Sequence, residues 1–127
     1  METGIIGTQI ITVQEDQTAK HLGSGDLAVL GTPYMIALME NTARKSVQPH
    51  LDQTQGTVGT LVNVKHVAAT PVGMEVRCET RLVEVDRKRL VFEVKCFDAC
   101  GLIGEGMHER FIIDNEKFMQ KTYAKLG

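Results

Sequence analysis

Thr32, Glu40 and His66 are the side chains of this sequence best suited to chemistry. Thr32 opens the stretch "TPYMIALMENTARKSV" and precedes Pro33. Threonine is a good helix N-cap, and proline suits a first helical position because the donor it lacks would be unpaired there anyway. The same position has a chemical use. A helix start presents free backbone N–H groups and partial positive charge, which can hold a developing oxyanion, although Pro33 removes one donor. Glu40 follows Tyr34, Met35, Ile36, Ala37, Leu38 and Met39, and Ala43 comes after it. A run this apolar is expected to be buried on nearly all sides, and an ionised carboxylate beside it is costly unless paired or hydrogen-bonded. Glu40 is then either an acid at the mouth of a sheet, meeting water or a lysine, or a functional group. His66 shares a strand face with Val62 and Val64, so it points into the molecule or an interface, as a satisfied core imidazole or as an acid–base group.

Thr32 and Glu40 are eight positions apart, about 12 Å along a helix axis. They cannot touch within one helix. If both serve one small site, a second subunit or an intervening group must bridge the gap. A domain made of one sheet and one helix also leaves a sheet edge or helix flank that a twofold partner can cover, which favours a dimer with sites at its interface. The chain of origin of Glu40 is left open. His108 shares a face with Arg110 and reads as structural, while His21 and His50 fall in loops. There is no serine elbow, phosphate loop or clustered set of metal ligands.

The elements that must position these residues are legible from periodicity. Residues 8–14 read as a first strand. Residues 15–31, with Gly23, Gly25 and Gly31, read as an irregular loop with one short turn at Glu15–Lys20. A helix follows over 33–47, with Arg44 and Lys45 near its C-terminus and Pro49 ending it. "GMEVRCETRLVEV" puts Met74, Val76, Cys78, Thr80 and Leu82 on one face and Glu75, Arg77, Glu79 and Arg81 on the other. "LVFEVKCF" does the same with Leu90, Phe92, Val94 and Cys96. Asp86–Arg89 and Asp98–Gly101 are turns. "LIGEGMHERFIID" is a last strand, in which Gly104 and Gly106 mark a bulge or a close backbone approach. The tail can form an amphipathic helix through Phe118, Met119, Tyr123 and Leu126. Short hairpins make the neighbouring strands antiparallel. The architecture expected is α+β: one antiparallel sheet curled around one helix.

The 127 residues suit a single domain, 1–127. A hydrophobic share of 43% and a charged share of 24% are ordinary for a globular chain. A formal net charge of −2 without a basic block argues against a nucleic-acid surface. No apolar run approaches the roughly 20 residues that span a bilayer, and "METGIIGTQI" does not read as a secretory leader. Three cysteines cannot all pair. Cys78 and Cys96 read as small buried hydrophobes, and Cys96 and Cys100 lack the second cluster that would complete a zinc site. A reducing cytoplasm is the compartment expected.

Taken together, "TPYMIALME", "GTVGTLVNVKHVAATPVG" and "GEGMHERFIID" resemble the fluoroacetyl-CoA thioesterase branch of the hot-dog acyl-CoA thioesterases, from about Ile10 to Phe118. The resemblance implies a hot-dog fold, with a long central helix wrapped by a five-stranded antiparallel sheet. It implies hydrolysis of a small acyl-CoA with a catalytic triad of Thr32, Glu40 and His66. It implies a backbone contact from Gly59 near the thioester and Arg110 near the site. No metal and no cofactor are expected, CoA being part of the substrate, and the assembly expected is a homodimer or dimer of dimers. Lys65 and Arg87–Arg89 are loose candidates for the CoA phosphates. Two features depart from the family pattern. The loop Ser24–Leu30 lacks the phenylalanines that form a lid, and Asn41 stands where an aromatic residue follows the glutamate. Fluoroacetyl selectivity is therefore not implied. The alternatives are a non-catalytic binder of acyl-CoA or another small acyl ligand, and, more weakly, a dehydratase.

Overall fold

A computed structural model describes residues 1–127. Five strands, β1 (Ile6–Thr12), β2 (Gln55–His66), β3 (Glu75–Asp86), β4 (Arg89–Asp98) and β5 (Gly101–Asp114), form one antiparallel sheet in the order β1-β3-β4-β5-β2. A one-turn helix, α1 (Ala19–Leu22), precedes the long helix α2 (Thr32–Val47), and α3 (Asn115–Tyr123) follows β5. The alternation expected for β3 and β4 is present. Val76, Cys78, Thr80 and Leu82 are buried, as are Leu90, Phe92, Val94 and Cys96, and Cys78, Thr80 and Leu82 face Cys96, Val94 and Phe92 across the ladder as one core layer. Burial of the valine, leucine and phenylalanine side chains among them contributes roughly 1.5–3 kcal/mol each relative to exposure. The first strand begins at Ile6 rather than at residue 8, because Ile6 and Gly7 pair with Arg81 and Thr80. Gly104 and Gly106 mark close approaches. A Cβ on Gly104 would stand 2.5 Å from Met35 Sδ, and one on Gly106 would strike the β2 backbone at Asn63.

Helix α2 lies mainly over β1, β3 and β4. It buries one stripe, Met35, Leu38, Met39, Thr42, Ala43 and Val47. This corrects the expectation of a helix buried nearly all round. Pro33 and Ala37 are exposed and Ile36, Glu40, Asn41 and Arg44 are half-buried. The helical period, rather than the apolar count, decides which side chains reach the single sheet. Strand β2 ends the sheet with one edge unpaired, and Leu61 and Val62 are 44% and 40% exposed there. Its register against β5 breaks between Gly59 and Leu61, leaving Thr60 as an extra residue. The tail is helical as expected, but Phe118, Met119, Tyr123 and Leu126 stay exposed.

Candidate active site

The helix cap differs from the expected one, and the difference matters chemically. Gly31, with β-region backbone, is the N-cap, Thr32 is the first helical residue and Pro33 the second. The Gly31 carbonyl accepts from Tyr34 and Met35 N–H, both at 3.0 Å. The Thr32 N–H has no backbone partner, so it is the donor left at this helix start. The Thr32 hydroxyl, not used as a cap, lies 2.7 Å from His66 Nδ1. His66 is the last residue of β2, opposite Gly104. The chain after it is fixed by Val67 N–H donating to Ile103 O at 2.7 Å. On the other side, Leu30 and Gly31 N–H donate to Thr70 O and Gln17 O at 2.8 and 2.9 Å. The loop entering α2 is thereby tied to two walls.

Burial lowers the His66 pKa, while the Ala68 carbonyl pulls it upward. Nε2 forms no hydrogen bond of normal geometry and is buried without a partner. A neutral imidazole therefore prevails near neutral pH, with one nitrogen on a hydroxyl and the other open. A threonine hydroxyl both donates and accepts. With the ring proton on Nε2, that atom awaits an acceptor; with it on Nδ1, Nε2 is a free base. The pair borders a cavity of about 360 Å³ whose walls include Ala19, Ser24, Val29, Leu30 and Val67, with no aromatic residue.

Glu40 belongs to a second cluster. Its Oε2 is 3.7 Å from Arg110 Nη1, and a Cβ on Gly59 would stand 3.0 Å from that oxygen. A side chain at this position would push the carboxylate back from β2 by a few tenths of an ångström. Arg110 is 5% exposed. Its Nε donates to Thr57 Oγ1 at 2.7 Å and its Nη2 to Thr57 O at 2.8 Å. Burial lowers its pKa and Glu40 raises it; the guanidinium stays charged. A hollow of about 270 Å³ opens here, bordered by Ala37, Glu40, Asn41, Arg44 and Arg110. The structure thus brings Thr32 to His66, and Glu40 to Gly59 and Arg110, but one chain does not bring the two groups together. Reading the sequence missed Thr57 and the contacts of His108. Arg89, a loose candidate for CoA phosphates, is engaged by Glu84 and by Glu109, the latter at 2.7 Å. Arg87 and Lys88 remain exposed. No helix is long and apolar enough to cross a membrane.

A long helix against a five-stranded antiparallel sheet defines the hot-dog class, and a hot-dog-like protein from Thermanaerovibrio acidaminovorans superposes with a TM-score of 0.92 at 20% identity, covering 100% of this chain and 94% of that one. The chain belongs to the fluoroacetyl-CoA-specific thioesterase family, whose family model matches residues 13–116. It is 35% identical to the fluoroacetyl-CoA thioesterase of Streptantibioticus cattleyicolor, over 98% of this chain and 94% of that protein. A phenylalanine-to-alanine variant of the thioesterase FlK, crystallised with fluoroacetate and CoA, superposes with a TM-score of 0.88 at 34% identity, covering 93% of this chain and 99% of that one.

Proposed function

We propose that this protein hydrolyses a small acyl-CoA to the free acid and CoA at the Thr32–His66 pair, with Glu40 supplied by a second copy. The 2.7 Å Thr32–His66 contact at a helix start, beside a cavity, carries the reading. The thioester carbonyl oxygen points at the Thr32 N–H, which holds the oxyanion. With Nε2–H facing Glu40, His66 Nδ1 is the base: it takes a proton from water through the Thr32 hydroxyl as the resulting hydroxide bonds to the carbonyl carbon. The tetrahedral species collapses, the C–S bond breaks, and His66 returns the proton to the CoA thiolate. Glu40 of the second copy faces His66 Nε2 and stabilises the imidazolium. The alternative route, attack by Glu40 to give an anhydride, differs in one observable. In a single turnover in ¹⁸O-water, water attack labels the product acid, whereas an anhydride opened at the Glu40 carbonyl leaves the first label on the enzyme.

Geometry supports the second copy. An antiparallel pairing of two β2 edges centred near Val62 and Asn63 sets His66 of one copy opposite Gly59 of the other. Glu40 rests against Gly59. The pairing also covers the exposed Leu61 and Val62 and completes the unpaired ladder. Arg44, which borders the hollow at Glu40, and the exposed Lys65, next to His66 on β2, are candidates for CoA phosphates. No cofactor is invoked. Unbridged cysteines and an acyl-CoA substrate suit the cytoplasm. Thiol release from a panel of acyl-CoAs, by the native chain and by Glu40→Ala and His66→Ala, tests the reading. Turnover by the native chain that both variants lose is expected; no turnover of any substrate overturns it.

The separation of Glu40 from His66 within one chain favours a second reading. A chain that stays monomeric would bind an acyl-CoA without turning it over. Binding with no thiol release, together with a monomeric mass, would select it.

A further inference from the structure

His108 does not border the cavity at Thr32 and is 1% exposed. Its ring stacks on Phe92 at 6.1 Å between centroids. Its Nδ1 is 2.8 Å from Leu61 O, and its Nε2 is 3.3 Å from Arg110 Nη1. A carbonyl only accepts and a guanidinium only donates. The proton therefore sits on Nδ1, and Nε2 is bare: the two neighbours dictate one neutral tautomer. Thr57 holds the other two donor nitrogens of Arg110, so Nη1 alone faces both His108 and Glu40. Leu61 immediately follows the extra residue Thr60. One imidazole thus fastens both the guanidinium opposite Glu40 and the irregular turn of β2 beside Gly59.

We propose that His108 is a positioning residue for the Glu40 carboxylate, acting through Arg110 Nη1 and the Leu61 carbonyl. The proposal rests on Glu40 being part of the hydrolytic site. A histidine that merely fills the core would need neither fixed partner. The charged groups that face it are Arg110 and Glu109 on β5 and Glu40 on α2.

His108→Asn keeps a donor for Leu61 and removes the acceptor for Arg110; His108→Gln places an amide at the Nε2 position. His108→Asn is expected to lower kcat for thiol release about tenfold, as a small misplacement of a reacting group does, with little change in KM. His108→Gln is expected to restore most of it. In a Glu40→Gln background, His108→Asn should cost less than about twofold more, because the two substitutions remove one function. A folded His108→Asn with native kcat, or an equal loss in both backgrounds, overturns the proposal. If Glu40→Gln keeps native turnover, the reading of Glu40 itself falls, and His108 falls with it. If Glu40→Gln is impaired and His108→Asn is not, only the present proposal falls. Should neither His108 variant fold, ring ¹⁵N resonances of the native protein decide: Nδ1 protonated and Nε2 bare are expected at neutral pH, and the opposite tautomer overturns the proposal.

Discussion

Thr32 and Glu40 stand on one helix and look into two different hollows, one beside His66 and the other beside Arg110. The 2.7 Å contact of Thr32 with His66 is complete within a chain, while the carboxylate lies against Gly59. The split turns a question of residue roles into a question of assembly.

Mixing Glu40→Ala and His66→Ala proteins tests the assembly directly. With random exchange of subunits, half the dimers are mixed, and each has one site holding both native residues. About a quarter of native activity per chain is expected to return. Each variant alone should have lost at least a hundredfold. No recovery after verified exchange places Glu40 in the same chain as its His66.

Val62→Lys puts like charges near the centre of the inferred β2 pairing. Sedimentation should show at least tenfold weaker dimerisation, and thiol release should fall with it as the protein is diluted. An unchanged dimer with unchanged activity would move the interface elsewhere.

Thr32→Ala removes the hydroxyl at Nδ1 but keeps the backbone N–H, whereas Thr32→Ser keeps both. A loss in kcat of about a hundredfold for alanine, and of only several-fold for serine, is expected on the scale of one lost stabilising group. Equal losses would shift the weight to the threonine methyl.

Histidine protonation gives two pH predictions. Within one chain burial sets the His66 pKa below the ordinary value of 6.5, and kcat/KM should fall in acid as the imidazole takes up a proton. A facing carboxylate favours the imidazolium, so Glu40→Gln should move the acid limb to lower pH. His108 is also lowered, by burial first and by Arg110 as well. The unfolded chain then binds a proton that the folded chain does not. Stability is expected to fall as pH drops from the unfolded value near 6.5 towards the lower folded one. Thermal unfolding of native protein and His108→Asn across this window should show the shallower fall in the variant.

Val29→Phe narrows the cavity beside Thr32. Activity on butyryl-CoA and longer substrates should drop at least tenfold relative to acetyl-CoA, since each methylene in such a pocket is worth roughly 1–3 kcal/mol. A uniform loss across the panel would remove this wall from the acyl site.

The sequence displays its two central strands plainly, because strict alternation of Val76, Cys78, Thr80 and Leu82 with charged neighbours leaves one register that buries the apolar set. The long helix is equally plain from Pro33 and the apolar period. Its exposed flank is not, since composition counts apolar residues without saying which stripe meets a sheet. Thr32 is a good cap by type, yet Gly31 takes that place and frees the hydroxyl for His66, a partner 34 residues away. The Leu61–His108 bond spans 47 residues. No local pattern encodes such a contact; only strand order brings it about.

The register break at Thr60 has a consequence for parity. Gly59 and His66 are seven positions apart, and an unbroken strand would send them to opposite sides. Thr57 and Gly59 meet Arg110 and Glu40 on the helix side, and His66 meets Thr32 on that same side. One supernumerary residue therefore resets odd to even along β2, and its excision would turn either the imidazole or the glycine outward without altering a single reactive group.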